Sequence, residues 1–170
     1  YEPTDETYTV TMSNVSIGSP TPEAITTTDL VGAGTITDSG DSAPTISIDD
    51  VTVSEGTPAN FTATLSSPSQ YDVTFDVTTS DGSATAGDDY TAQTSQSYTI
   101  TAGSTTVTIP VVTTDDSTYE PTDETYTVTM SNVSIGSPTP EAITTTDLTG
   151  AGTITDSGDS SPTISIDDVT

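Results

Sequence analysis

Acidic side chains gather in four separated segments of the chain: Glu55; Asp81, Asp88 and Asp89; Asp115, Asp116, Glu120, Asp123 and Glu124; and Asp156 with Asp159. Carboxylates at this density suit two chemistries. One is hydrolysis of a glycosidic bond, which needs a pair of acids flanking a cleft with one of them desolvated. The other is binding of a hard cation such as Ca2+, which takes about six to eight oxygen ligands in loose geometry. Gly, Pro, Ser and Thr surround these acids and set them on loop tips rather than in a cleft, which favours the cation. Two carboxylates about 5 Å apart repel by roughly 3 kcal/mol at an effective dielectric of about 20, so a cluster of them is costly until a cation sits among them.

The segments between the acids carry the period-two alternation of half-buried strands. Phe61, Ala63 and Leu65 mark one strand, and Val73, Phe75 and Val77 the next. Tyr98 with Ile100, then Val107, Ile109 and Val111, then Tyr126, Val128 and Met130 mark three more, and Gly150 to Thr155 closes the set. The first strand places Ile46 and Ile48 on one parity and Val51 and Val53 on the other, so a bulge is expected at Asp49-Asp50. With no helical period, the pattern predicts an all-β, seven-stranded antiparallel immunoglobulin-like β-sandwich, without the Cys and Trp of true immunoglobulin domains. When consecutive strands run antiparallel, alternate loops share one pole, and all the acids named above fall on the same one. The opposite pole holds only Glu141 and Asp147. A merely solvated acidic surface is the plainer reading, and segregation to one pole decides against it.

Across its 170 residues the chain has 26 Asp and Glu and no Lys, Arg or His, a formal charge of -26. Nothing within it can neutralise the pole. Such a surface repels phosphate backbones and anionic headgroups, so no nucleic-acid partner is expected. Serine triads and Schiff bases need the His or Lys that are missing, and the chain reads as not an enzyme. Without Cys there is no disulfide and no zinc-thiolate site. Hydrophobic residues are 29 % of the chain, a thin supply for a core, and no apolar run reaches the length of a membrane span, so no direct membrane insertion is expected.

Residues 1–52 recur as 119–170 with two changes, Val31 to Thr149 and Ala43 to Ser161, a tandem repeat of period 118. That period matches an independent domain rather than a solenoid unit. Linkers rich in Ser, Gly and Pro set the phase: residues 1–44 read as the last two strands and linker of a preceding domain, 45–159 as one complete domain, and 160–170 as the linker and first strand of a following one. Beginning at Tyr1, the sequence is expected to be an excerpt of a longer protein that carries its secretion and anchoring signals elsewhere.

Four ordered motifs then point to a known family. They are Ile46-Ser-Ile-Asp-Asp-Val-Thr-Val-Ser-Glu55-Gly56, Thr79-Ser-Asp81-Gly82-Ser-Ala-Thr-Ala-Gly87-Asp-Asp-Tyr90, Asp115-Asp116 with Glu120 and Asp123-Glu124-Thr-Tyr-Thr-Val-Thr-Met-Ser, and Gly152-Thr-Ile-Thr-Asp156. Together they resemble the Calx-beta domain, found in sodium/calcium exchangers, integrin β4 and very large bacterial surface proteins. The resemblance implies Ca2+ held by Glu55, Asp81, Asp115, Asp116, Glu120, Glu124, Asp156 and Asp159. In the partial preceding repeat it implies Glu2, Glu6, Asp38 and Asp41, the copies of Glu120, Glu124, Asp156 and Asp159.

These readings lead to an expected function. The chain is expected to be a calcium-binding structural spacer of a long extracellular surface or matrix protein, an adhesin stalk or fibre of biofilm type rigidified by calcium between domains. Its partners are then calcium ions and neighbouring identical repeats in the same chain or fibre. The alternative is an adhesive module for cell adhesion that takes a ligand on the long loop 131–147. Asn14, Asn60 and Asn132 each fit the Asn-x-Ser/Thr pattern for glycosylation, against a background of many Ser and Thr.

Overall fold

The computed structural model describes residues 5–18, 25–37, 42–116, 118–136, 143–156 and 158–168. The chain forms two compact units, one of Glu2–Ser42 and the other of Ala43–Thr170.

The smaller unit is a hairpin of β1 (Glu6–Thr11) and β2 (Val31–Ile36), paired antiparallel from Glu6↔Ile36 to Thr11↔Val31. The larger unit is all-β, and no helix of the described residues is long and apolar enough to cross a membrane. It contains β3 (Thr45–Ile48), β4 (Val51–Ser54), β5 (Ala59–Leu65), β6 (Val73–Asp81), β7 (Gln96–Ile100), β8 (Thr106–Val111), β9 (Glu124–Ile135), β10 (Thr144–Asp147) and β11 (Thr149–Thr155). One sheet runs β10-β3-β5-β8 and the other β4-β11-β9-β6-β7, together a sandwich.

The alternation expected from the sequence is the alternation observed. Ala59, Phe61, Ala63 and Leu65 of β5 are buried, as are Val73, Phe75 and Val77 of β6, Ile109 and Val111 of β8, and Tyr126, Val128 and Met130 of β9. They form one core with Ile46, Ile48, Tyr90, Ile100 and Ile154. The inward positions of β11 include Gly150 and Gly152. A side chain at Gly152 would meet the Tyr126 ring, and one at Gly150 would meet Phe61 and the carbonyl of Asp49. Two large rings therefore fill the space that two missing side chains leave, and the thin apolar supply still closes a core.

The parity break at Asp49-Asp50 is a change of sheet rather than a bulge within one. Its first half, β3, pairs antiparallel with β5, and its second half, β4, pairs in parallel with β11. Each acid binds one sheet: Thr62 N donates to Asp49 Oδ1 at 2.6 Å, and Ala151 N donates to Asp50 Oδ1 at 2.7 Å. The long loop 131–147 is also partly sheet. Residues through Ile135 prolong β9, and Thr144–Asp147 forms β10, which pairs in parallel with β3. The sandwich thus includes two parallel pairings where the alternation predicts antiparallel neighbours, because both strands of the split entry lie beside later strands that run the same way.

A bulge does occur in β9, where the register with β6 shifts between Thr74 and Asp76 and Asn132 adopts φ 51°. Its copy Asn14 in the hairpin unit has φ 55°, so the local sequence sets this kink. Asn132 Nδ2 donates to Asp76 Oδ2 at 2.8 Å, and Asn14 and Asn60 are exposed.

Candidate metal centre

The acidic loops leave the sandwich where β4, β6 and β11 end and β9 begins. Glu55 follows β4 directly, and its amide donates to Thr155 O of β11 at 3.0 Å. Gly56 turns the chain there with φ +68°, a left-handed conformation that glycine adopts without penalty. A Cβ on Gly56 would lie 3.1 Å from Asp115 Cβ, so the glycine also admits Asp115 beside Glu55.

The loop after β6 is folded by its own acids. Gly82 packs on the Thr125 carbonyl of β9, where a Cβ would fall at 2.4 Å, and Thr125 N donates to Ser83 Oγ at 2.8 Å. Asp81 Oδ1 accepts from Tyr90 Oη at 2.6 Å and from Ala86 N at 2.9 Å. Thr85 N donates to Asp89 Oδ2 at 2.6 Å, and Asp89 O accepts from Thr114 N at 2.8 Å. These bonds close the turn and hold Asp89 against the loop that follows β8. Asp156, past the end of β11, accepts from Glu120 N at 3.3 Å and from Gly158 N and Asp159 N at 3.1 Å each.

The result is two carboxylate triads. Glu55, Asp115 and Asp159 each bring one oxygen to within 4.8 Å of the others, and Asp89, Glu120 and Glu124 do the same. Every triad draws on more than one loop. Oε2 of Glu124 and Oδ2 of Asp159 are shielded from solvent and accept no hydrogen bond from the described residues. Buried carboxylate oxygens left in that state are destabilising, and a cation bound to them removes the cost.

The electrostatics report the same crowding. Desolvation, then Asp89 and Glu120, push the Glu124 carboxyl up to about 7, with a hydrogen bond to Asp89 and the charge of Glu55 adding to the rise. Desolvation and the charges of Asp89, Asp116 and Asp156 raise Glu120. Asp159 is raised by desolvation and by Asp156, Asp115 and Asp116. The two triads therefore form one electrostatic patch, in a chain with no Lys, Arg or His to relieve it.

Of the eight residues expected as ligands in the larger unit, Glu55, Asp115, Glu120, Glu124 and Asp159 lie in the triads. Asp116 and Asp156 border them through their charges on Glu120 and Asp159. Asp81 instead organises its own loop through Tyr90 and Ala86. Asp89 joins the second triad although the resemblance did not point to it; its place in the acidic run Asp88-Asp89 was its only signal. In the hairpin unit Glu6 is exposed, while Glu2, Asp38 and Asp41 lie outside the described residues.

A family model described as the Calx-beta domain matches residues 41–157. Among solved structures, the apo-form Calx CBD1 domain is similar at 17 % identity and TM-score 0.54, over 69 % of this chain and 100 % of that one. The calcium binding domain CBD12 of CALX1.1 is similar at 17 % identity and TM-score 0.53, over 65 % of this chain and 45 % of that one. The Calx CBD2 domain is similar at 13 % identity and TM-score 0.55, over 66 % of this chain and 86 % of that one. At these identities the likeness is one of fold. No curated protein matches the chain significantly.

Proposed function

The chain belongs to the Calx-beta domain family, and from that premise we propose that it is a calcium-binding, non-enzymatic structural module whose ions are held at the acidic pole. The observation that carries this reading is the pair of carboxylate triads, with the shielded oxygens of Glu124 and Asp159 inside them and no basic residue in the chain. Glu55, Asp115 and Asp159 would hold one ion, and Asp89, Glu120 and Glu124 a second, with Asp116 and Asp156 at the border. Calcium suits this donor set because it accepts many oxygens in irregular geometry, whereas Mg2+ demands a near-octahedral shell at about 2.0–2.1 Å. Loop carbonyls and water complete each shell.

The test is calorimetric titration of the chelator-treated chain with Ca2+ and, separately, Mg2+. Saturable Ca2+ binding with a rise in melting temperature at millimolar or lower concentration is expected. An unchanged melting temperature up to millimolar Ca2+ would refute the reading.

The role of such a module is a spacer in an extracellular array. The 52-residue near-identical copies support it, because successive copies of one module suit length better than a distinct specificity. In this reading residues 1–44 close a preceding domain, 45–159 form one domain and 160–170 open the next. Residues 162–168 repeat 44–50, and Ile164 and Ile166 are exposed where Ile46 and Ile48 are buried. Asp156 and Asp159 lie next to the linker, so an ion on them would restrain the joint. Small-angle scattering of a multi-domain array with calcium and with chelator should show a longer, less flexible particle with calcium; identical profiles would exclude a stiffening role.

A further inference from the structure

The backbone ladder between β5 and β8 runs through Ala63↔Val107 and Phe61↔Ile109 and ends at Ala59↔Val111. Carried outward by the same step, that register sets Thr57 opposite Thr113 and Glu55 opposite Asp115, two members of the first triad. The backbone itself does not follow. Past Val111 the chain turns its bonds to the loop after β6: Thr91 N donates to Val112 O at 2.9 Å, Thr113 forms an antiparallel bridge with Tyr90, and Thr114 N donates to Asp89 O at 2.8 Å. On the other side the chain makes a tight turn, in which Thr57 N donates to Ser54 O at 3.1 Å and Gly56 is left-handed.

One side chain spans the gap. Thr113 is only 4 % exposed, and its hydroxyl donates to the carbonyl of Thr57 at 2.9 Å, where the ladder would have had its next rung. Each end of this bond lies two residues from a carboxylate of the first triad, Thr57 from Glu55 and Thr113 from Asp115. We infer that Thr113 is a positioning residue of that triad: its hydroxyl holds the turn carrying Glu55 against the segment carrying Asp115, and so sets the gap that an ion must fit. The inference rests on the calcium reading above.

Carboxylates brought face to face push apart, so their supports need a bond that the carboxylates do not themselves supply. The bond from Thr113 to Thr57 joins two uncharged groups and is indifferent to the charge on the acids. The second triad has separate support, because Asp89 is held through Thr114 N and Thr85 N, and neither bond uses the Thr113 hydroxyl. The role therefore belongs to one triad, whereas a threonine that only filled the core would serve both alike. Groups that orient a metal's ligands without touching the metal change affinity about 10- to 100-fold when removed.

Thr113→Val keeps the branched shape and removes the hydroxyl. The test sets it in the full chain beside two other changes: Glu124→Gln, which leaves the first triad whole, and Asp115→Asn, which leaves the second whole. Calcium titration calorimetry should show affinity at least about tenfold weaker when Thr113→Val is added to Glu124→Gln. Added to Asp115→Asn, it should change affinity by no more than about twofold. Thr113→Ser keeps the donor and should restore binding at the first triad. In chelator, with no ion involved, hydrogen exchange at the amides of Glu55 and Thr57 should quicken in Thr113→Val. Exchange at Leu65 N, bonded to Thr105 O at the far end of β5, should match the parent chain. Equal losses at both triads, unchanged affinity at the first, unchanged exchange at Thr57, or no rescue by Thr113→Ser overturns the inference while the calcium reading stands. A parent chain that takes up no calcium overturns both.

Discussion

The ring of Tyr90 stacks on that of Tyr126, with centroids 4.4 Å apart and planes 17° from parallel, while its hydroxyl donates to Asp81 Oδ1 at 2.6 Å. One side chain thus joins the packed core to the first acid of the loop after β6. Desolvation, reinforced by the bond to Asp81, pushes the Tyr90 phenol up to about 12, so it remains a donor over the whole neutral range. The position of Asp89 depends on this loop, and the core reaches the carboxylate triads through it.

Tyr90→Phe keeps the stacked ring and removes the donor to a charged acceptor. The expected cost is about 1.5–3 kcal/mol in calcium-free protein, the range for a hydrogen bond to a charged group. Urea unfolding with chelator present measures it, and a loss below about 0.5 kcal/mol would show that Asp81 is held by Ala86 and solvent alone.

Glu124→Gln should change stability in opposite directions with and without calcium. In chelator at pH 8 it removes a crowded charge, so the melting temperature rises. With millimolar calcium it removes a proposed ligand, so the increment that calcium adds should shrink. Melting curves of both proteins under both conditions decide the matter; a uniform shift in one direction would place Glu124 outside the ion's reach.

The calcium-free protein should lose stability as pH rises from about 4.5 to beyond 7. The carboxyls of Glu124, Glu120 and Asp159 are raised in the folded state, Glu124 to about 7, so folding favours their protonated forms. Their contribution is fully present below the unfolded carboxylate range and is lost as pH passes through the folded values. Calcium requires the ionised forms, so its affinity should climb over the same window. Melting in chelator at pH 5 and pH 8 tests the first statement, and calorimetry at pH 6 and pH 8 the second.

Gly56→Ala should destabilise the domain by about 1 kcal/mol or more, since alanine at positive φ is strained. It should also weaken calcium binding, because the new methyl falls 3.1 Å from Asp115 Cβ and moves that carboxylate away from Glu55 and Asp159. An unaltered calcium affinity with reduced stability would separate the turn from the site.

The strands were legible where one face alone is buried. Phe61, Ala63 and Leu65 announce β5 by alternation, and the break at Asp49-Asp50 announces a departure from it. What the alternation lacks is the partner of each half: Asp49 is matched to Thr62 and Asp50 to Ala151, and only the folded chain brings those together. Strand β10 gave no signal because Thr144–Asp147 is polar and exposed throughout, held by its pairing with β3. The acidic pole could be placed from loop alternation, yet the grouping within it could not. Asp81 faces a tyrosine nine residues away, and Asp89 joins Glu120 and Glu124 through a turn closed by its own carboxylate.

The parallel pairing of β4 with β11 bears on tension. The strand by which the chain enters the sandwich and the strand by which it leaves lie side by side and run the same way, from Val51↔Gly152 to Ser54↔Thr155. A pull on the two ends drags these strands past each other along their length. The ladder is then loaded in shear, its rungs sharing the force, whereas antiparallel neighbours pulled from one end would part rung by rung like a zipper. The change of sheet at Asp49-Asp50 adds a second set of bonds to β5 on the same load path. A tether built of such units should yield in discrete, high-force steps of one domain each when single molecules are stretched.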